Sequence, residues 1–179
     1  MLKVNPITNL IYYKDLATED YYHKGGEPPG VWAGAGARDL GLHGQVDTAD
    51  YYAVFRGYAP NGTPLCDRPG DAHRAGWDLT FSAPKSVSTL WARVDDDTRS
   101  AIQAGQFAAV QAAIQFLERH AAMTRRGHNG TQHEAVSGLV VATFEHTTSR
   151  AMDFQVHTHC LVANAAPRFD NTWGTLESR

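Results

Sequence analysis

Two histidines share an apolar, strand-like stretch in the motif His157-Thr158-His159-Cys160. Residues two apart on a strand point to the same side, so the imidazoles of His157 and His159 lie on one face. A third histidine, His146, ends the preceding apolar stretch. A register that pairs His146 with His157 gathers all three rings. A lone strand histidine is usually solvated, but three neutral imidazoles together suit a divalent metal ion and leave positions for water or substrate.

Tyr12-Tyr13 and Tyr21-Tyr22 place four of the seven tyrosines within eleven residues. The ordinary role of a tyrosine is packing, with an apolar ring and a polar tip. The chemical alternative is that one phenol is a nucleophile. Because the pKa of a free phenol is about 10, that role requires a base or a nearby positive charge.

A third candidate segment, DLTFSAPKSVS at residues 78–88, contains a carboxylate and a lysine. Asp78 alternates with Trp77, Leu79 and Phe81 on a predicted strand, so it faces away from them. It is either a solvent-facing residue or a group that orients a histidine or accepts the tyrosine proton. The helix start that follows, with Lys85 beside it, is suited to hold a phosphate.

The elements around these residues predict an α+β domain, a central antiparallel sheet with helices on one face and the candidate metal site on the other. Ser82 is the predicted cap of the helix that contains Pro84, and residues 124–133 are a predicted polar loop. The two histidine strands are apolar on both faces, which predicts a central hairpin covered on each side. The remaining predictions are two short helices over 11–22, a loop at 25–30, turn-rich chain over 51–76, strands at 77–82, 138–146 and 155–164, and a helix over 97–122.

Length and composition favour one domain over residues 1–179, with 42% apolar and 20% charged residues. Two cysteines outside any CxxC pattern argue against a disulfide scaffold or a cysteine zinc site. No secretory or membrane-spanning stretch is evident, so we expect a cytoplasmic protein. The net charge of −3 weighs against nucleic-acid binding, although a local basic patch can still hold phosphates. The chain ends without a terminating element, so we expect truncation at its carboxyl end.

Taken together, these stretches resemble the relaxases of conjugative plasmids, in the MobF class with two tyrosine pairs. That class belongs to the His-hydrophobe-His (HUH) endonuclease superfamily. The resemblance rests on the tyrosine pairs and on four segments that follow in the family's order. They are WAGAGARDLGLHGQVD at 32–47, DLTFSAPKSVS at 78–88, EHTTSR at 145–150 and VHTHCLVAN at 156–164. Thr158 departs from the superfamily name, which expects a hydrophobic residue between the two histidines. Members of this branch are similar to the chain in this respect.

The resemblance implies that Tyr12 is the main nucleophile and that Tyr21 or Tyr22 serves a later strand transfer. It implies three metal-binding histidines, His146, His157 and His159, with Asp78 as base or supporting group. The enzyme would nick single-stranded DNA at a plasmid transfer origin through a 5′-phosphotyrosine link. We expect Mg²⁺ or Mn²⁺ in the cell, with Zn²⁺ or Ni²⁺ possible in a crystal. Expected partners are the origin DNA and accessory transfer proteins, bound by a monomer.

Basic residues are the predicted phosphate contacts, with Lys85, Arg74 and Arg150 the first choices. Arg68, Arg125 and Arg126 are further candidates.

Three alternatives stay open from the residues alone. A rolling-circle replication initiator would use the same chemistry for another purpose. A three-histidine oxygenase or hydrolase acting on a small molecule would leave the tyrosine pairs without a role. An inactive DNA-binding remnant would fit a shortened chain.

Overall fold

The computed structural model describes residues 1–11, 28–127, 130–149, 151 and 153–177. Its strands are β1 (Leu2–Pro6), β2 (Val31–Ala33), β3 (Gly76–Ser82), β4 (Met123–Arg126), β5 (Gln132–Ala135), β6 (Val141–Thr148), β7 (Phe154–Ala163), β8 (Ala166–Pro167) and β9 (Trp173–Gly174). Its helices are α1 (Ala35–Asp39), α2 (Thr48–Phe55), α3 (Lys85–Trp91) and α4 (Asp96–His120). The predicted α+β class is confirmed. Within the described residues no helix combines the length and apolarity that membrane crossing requires.

Five strands form one antiparallel sheet in the order β1-β3-β7-β6-β2. The longest of them, β7, lies at its centre between β3 and β6. The register between β6 and β7 places His146 opposite His157, as the sequence predicts. On the other side of β7, Thr80 of β3 lies opposite His159. The two pairings fix which side chains meet on each face.

Alternation along the strands divides the core between two faces of the sheet. On one face, Leu79, Cys160 and Val162 pack with Val110 and Ile114 of α4. On the other, Phe144 and Leu161 pack with helix α2. The histidines lie on this second face, towards the start of β7. The predicted cover on both sides of the central strands is therefore confirmed, and α2 shares a face with the histidines.

The junction between β3 and α3 differs from the prediction. Ser82 is the last residue of β3, opposite His157, and Pro84 is the N-terminal cap of α3 without a side-chain hydrogen bond. The prediction that Ser82 caps this helix is therefore wrong. The reason is that the β3–β7 ladder extends to Ser82. The helix therefore begins at Lys85, two residues later than it would with Ser82 as its cap.

The long helix is confirmed over Asp96–His120, where Asp95 accepts a hydrogen bond from the amide of Thr98 as the cap. Only part of its predicted apolar face is buried. Val110 and Ile114 are buried, whereas the Phe107 side chain is 41% exposed. The core contact is therefore a narrow stripe, and the apolar residues on either side of it reach solvent.

Several further elements were absent from the prediction, among them α2, β1 and the hairpin of β4 and β5. Helix α2 occupies part of the segment assigned to turns, and its Tyr51, Val54 and Phe55 are fully buried. Edge strand β1 is only five residues long and largely exposed, and the apolar–polar alternation of its sequence LKVNP was overlooked. The polar loop predicted at 124–133 is wrong at residues 124–126 and 132–133, because β4 and β5 pair as a hairpin. Ion pairs, together with hydrogen bonds to main-chain groups, join that hairpin to residues 168–177.

Gly76 starts β3 with φ of 147°, and a Cβ there would overlap the carbonyl oxygen of Val162. We expect Gly76→Ala to lower the free energy of unfolding by about 3 kcal/mol, because both the backbone angle and the space oppose a side chain. Gly105 in α4 is the matched control, since nothing lies within 4 Å of its Cβ position. There alanine should stabilise by about 0.5–1 kcal/mol. Urea unfolding of both variants tests the pair, and equal effects would contradict it.

Candidate metal and DNA-cleavage site

The three strand histidines form one cluster on the α2 face of the sheet. Their ring centroids are 5.3 Å apart for His146 and His157, 5.4 Å for His146 and His159, and 5.1 Å for His157 and His159. His146 and His157 are buried, with 5% and 9% exposure. The predicted register of β6 and β7 is confirmed, and it brings the three imidazoles into mutual contact.

Each of the two β7 histidines is held by its Nδ1 atom. The Nδ1 of His159 donates to both carboxylate oxygens of Asp78, at 2.9 and 3.0 Å. The Nδ1 of His157 lies 2.8 Å from the carbonyl oxygen of Gln155, which can only accept. In the neutral imidazole a proton on Nδ1 leaves the lone pair on Nε2. These two rings are thereby prepared to bind an electrophile through Nε2, the arrangement that outer-shell acceptors impose on metal-binding histidines.

Asp78 is an interior residue, with only 3% exposure. The hydroxyl of Thr80 donates to its Oδ1 at 3.3 Å and lies 3.4 Å from the Nδ1 of His159. Asp78 sits diagonally across from His159 in the β3–β7 ladder, so the sheet itself sets this contact. Of its two predicted roles, this geometry favours orientation of His159.

The fit of the cluster to a metal ion follows from its geometry. Three imidazoles bound to one ion at about 2.1 Å would have ring centroids about 4.6–5.3 Å apart, close to the separations observed. As they stand, no three or more His, Cys, Asp and Glu side chains in the described part of the chain are arranged to hold an ion. The difference is one of ring orientation, because the centroid spacing is already suitable. The donor set fits a divalent ion once the rings turn towards a common point.

The residues adjacent to the histidines face the opposite side, towards α4. Cys160 is completely buried there, and burial raises the pKa of its thiol above the usual range. Glu145 precedes His146 and alternates away from it, and burial raises the pKa of its carboxyl group. The thiol of Cys160 and the carboxyl group of Glu145 therefore lie on the opposite face from the three imidazoles.

Two of the three first-choice DNA contacts, Lys85 and Arg74, lie within the described residues. The Lys85 ammonium donates to the carbonyl oxygen of Phe154 at 3.1 Å and lies 3.9 Å from the carboxylate of Asp153. It thus contacts the start of β7, near the histidines. Arg74 precedes β3 at the far end of the sheet and lines a polar cavity of about 510 Å³. The fold does not bring Arg74 to the histidine cluster.

The additional arginine candidates are also distant from the cluster. Arg68 and Arg125 line the same cavity as Arg74. Arg125 pairs with Glu177 at 2.6 Å, and Arg126 pairs with Asp170 at 2.7 Å. Their charges are thus partly balanced within the protein.

Five predicted site residues lie outside the described residues, namely Tyr12, Tyr13, Tyr21, Tyr22 and Arg150. The same applies to most of the helical prediction over 11–22 and part of the loop at 25–30. Their roles stay predictions.

Three residues with contacts in or beside the cluster were missed by the sequence reading. Thr80 contacts Asp78 and His159, Gln155 orients His157 through its main chain, and Ser88 bonds the main chain next to His157. Strand alternation could have identified Thr80, because it shares a face with Asp78. A main-chain acceptor leaves no mark on residue type, so Gln155 had no such signal.

A family model and a curated protein that match this chain both belong to conjugation systems. Residues 9–179 match the family model described as TrwC relaxase. The multifunctional conjugation protein TraI of Escherichia coli is 40% identical over 170 residues, which are 93% of this chain and 9% of that protein. The chain thus spans about a tenth of this curated relative.

Two solved structures extend the comparison to three dimensions. TrwC complexed with a 27-mer DNA, comprising the recognition hairpin and the cleavage site, superposes with a TM-score of 0.77 at 32% identity. The match covers 99% of this chain and 60% of that one. The metal-bound structure of conjugative relaxase TrwC with OriT DNA gives a TM-score of 0.75 at 31% identity, covering 99% and 61%.

Proposed function

The chain belongs to the TrwC relaxase family, and on that premise we propose that it nicks one strand of DNA at a plasmid transfer origin. The observation that carries the proposal is the cluster of three imidazoles, two of them fixed through Nδ1. Support comes from a relative solved with DNA that includes a cleavage site. Single-stranded origin DNA is accordingly the substrate, and the protein acts in conjugation.

His146, His157 and His159 are the proposed ligands of a divalent metal ion. Bound there, the ion would neutralise charge on the scissile phosphate and polarise it towards attack. Mg²⁺ or Mn²⁺ is the proposed ion in the cell, with Zn²⁺ or Ni²⁺ as substitutes in a crystal. The metal-bound form of TrwC supports metal use in this family.

Tyr12 is the proposed nucleophile. Its phenolic oxygen, after losing its proton, attacks the phosphorus and forms an ester with the 5′ end of the cut strand. The bond from phosphorus to the 3′ oxygen breaks, and that oxygen takes up a proton as a free hydroxyl. One phosphodiester replaces another, so the strand can be rejoined without ATP. Tyr13 belongs to the same pair, and Tyr21 or Tyr22 would serve a second transfer.

Asp78 acts on this chemistry through His159. Both of its carboxylate oxygens contact the Nδ1 of that ring, and the side chain is almost fully buried. A general base must reach the proton that it removes. Asp78 is better suited to holding the imidazole in one tautomer and strengthening it as a donor.

The proposed partners include the origin DNA and accessory transfer proteins, and the protein is proposed to act as a cytoplasmic monomer. Arg150 and Lys85 are the proposed phosphate contacts near the cluster, with Arg74 further away. Among the alternatives, the conjugation relatives favour plasmid transfer over rolling-circle initiation. The same relatives disfavour a small-molecule enzyme.

The central test is formation of a covalent protein–DNA adduct. We expect wild-type protein with Mg²⁺ or Mn²⁺ and a labelled single-stranded origin oligonucleotide to give an SDS-resistant product. Tyr12→Phe should abolish this product, because the transferred phosphate loses its acceptor oxygen. Denaturing gel electrophoresis measures the yield.

Tyr58→Phe is the matched control for this test, since Tyr58 lies beyond α2 and outside both tyrosine pairs. It should give the wild-type yield. An undiminished adduct with Tyr12→Phe would remove Tyr12 from its role. Absence of any adduct with wild-type protein across candidate origins would favour the inactive DNA-binding alternative.

The ligand assignment has a separate test. We expect His157→Ala and His159→Ala each to weaken Mn²⁺ binding by about 10-fold or more, because each removes one nitrogen donor. Isothermal titration calorimetry measures the affinity. His43→Ala is the control, because His43 is exposed in the loop after α1 and should leave binding unchanged. Identical affinities in all four proteins would refute the assignment.

Asp78→Asn tests the supporting carboxylate. We expect Mn²⁺ affinity to fall by about 10-fold, because the amide keeps the size of Asp78 but loses the charge that holds His159. Metal-free binding of the oligonucleotide should stay the same, which fluorescence anisotropy would show. Asp39→Asn makes the same chemical change at an exposed position and serves as the control. Equal metal affinities for the two variants would contradict the role of Asp78.

A further inference from the structure

Helix α3 bonds the start of β7 just before the first β7 histidine. The Lys85 ammonium donates to the carbonyl oxygen of Phe154 at 3.1 Å. The amide of Ala83 donates to the carbonyl oxygen of Val156 at 3.0 Å, which prolongs the β3–β7 ladder by one bond. The segment SAPKSVS thus adjoins residues 154–156, and its polar groups are directed at their main chain.

Ser88 makes the contact closest to the histidine. Its side chain is completely buried, and its hydroxyl accepts from the amide of Val156 at 3.0 Å. The same hydroxyl lies 3.5 Å from the carbonyl oxygen of Pro84, to which it donates. In a continued ladder the carbonyl of Ala83 would accept from Val156, but the chain turns into α3 at that point. The Ser88 hydroxyl takes that place.

The amide of Val156 and the carbonyl of Gln155 belong to one peptide group. That carbonyl oxygen accepts from the Nδ1 of His157 at 2.8 Å. Because a peptide group is planar and rigid, holding its N–H end fixes the direction of its C=O end. A hydrogen bond to the N–H also polarises the group and makes the carbonyl oxygen a stronger acceptor.

We propose that Ser88 is a positioning residue for His157 and acts through the Gln155–Val156 peptide. The hydroxyl holds the peptide plane, the plane aims its carbonyl at Nδ1, and Nδ1 keeps the proton. The lone pair of the ring is therefore on Nε2, the nitrogen that would act as the metal ligand. The effect on metal binding rests on the proposed function, whereas the effect on the tautomer of His157 does not.

The experiment compares Ser88→Ala with Thr89→Ala. Thr89 is the next residue of the same helix, is exposed, and bonds only the carbonyl of Lys85 among the contacts described, at 2.9 Å. Its variant removes a hydroxyl from α3 without touching β7. Long-range ¹H–¹⁵N correlation spectra of metal-free protein at pH 8 report the tautomer of His157, assigned by comparison with His157→Ala. Calorimetry with Mn²⁺ reports the affinity.

For Ser88→Ala we expect a mixture of both His157 tautomers and about 10-fold weaker Mn²⁺ binding. For Thr89→Ala we expect the wild-type tautomer and affinity. Ser88→Cys is a second variant for the case that the alanine protein does not fold. It keeps the size, and because a thiol is a weak acceptor it should give an intermediate tautomer ratio.

Spectra of Ser88→Ala that match those of Thr89→Ala would overturn the proposal, as would an undisturbed ratio in a folded Ser88→Cys protein. If wild-type protein binds no Mn²⁺, the metal assignment of the proposed function fails. The tautomer comparison still decides the role of Ser88 in that case, because it uses metal-free protein.

Discussion

The register of the central antiparallel ladder is the constraint on which the candidate site depends. Pairing His146 with His157 on one side of β7, and Thr80 with His159 on the other, brings residues from three separate segments to one face. Strand period two means that any odd shift would exchange the two faces. Packing on both sides resists such a shift, because Phe144 and Leu161 are buried under α2 while Cys160 and Val162 are buried under α4. The core therefore maintains the position of the imidazoles as well as the stability of the domain.

The three imidazoles are held by a series of groups that lie progressively further from the centre of the cluster. The imidazoles are the groups suited to contact an ion. Behind them, a carboxylate holds His159 and a main-chain carbonyl holds His157. Behind that carbonyl, a buried serine on α3 holds the peptide itself. The segment DLTFSAPKSVS contacts this arrangement at both of its ends. Asp78 at its start and Ser88 at its end reach the two β7 histidines from different directions, one through the sheet and one through the helix.

How far the sequence predicted this arrangement depended on the kind of signal. Continuous apolar stretches identified the strands of the histidines, period-two alternation identified the strand of Asp78, and the long helix followed from its own period. The prediction that Ser82 caps a helix failed, because Ser82 pairs with His157 in the β3–β7 ladder. Helix α2 was hidden among turn residues, although its Tyr51 and Phe55 are completely buried. The hairpin at 123–135 was missed because its strands are short and rich in polar and charged residues, which resemble a loop. Contacts through the main chain, such as that of Gln155, depend on three-dimensional position and leave no compositional signal.

Cys160 lies beside His159 in the chain, yet strand alternation turns its sulfur into the core under α4. A thiolate among the imidazoles would make the donor set softer and favour ions such as Zn²⁺ or Cu⁺, which bind thiolate tightly. Keeping sulfur on the far side leaves imidazole donors, which are less soft and select such ions less strongly. It also shields the thiol from oxidants, since burial disfavours the reactive thiolate form. Because successive residues of a strand point to opposite faces, the neighbours His159 and Cys160 direct their donor atoms to different sides of the sheet. The alternation of the strand thus determines which donors are available to a metal ion.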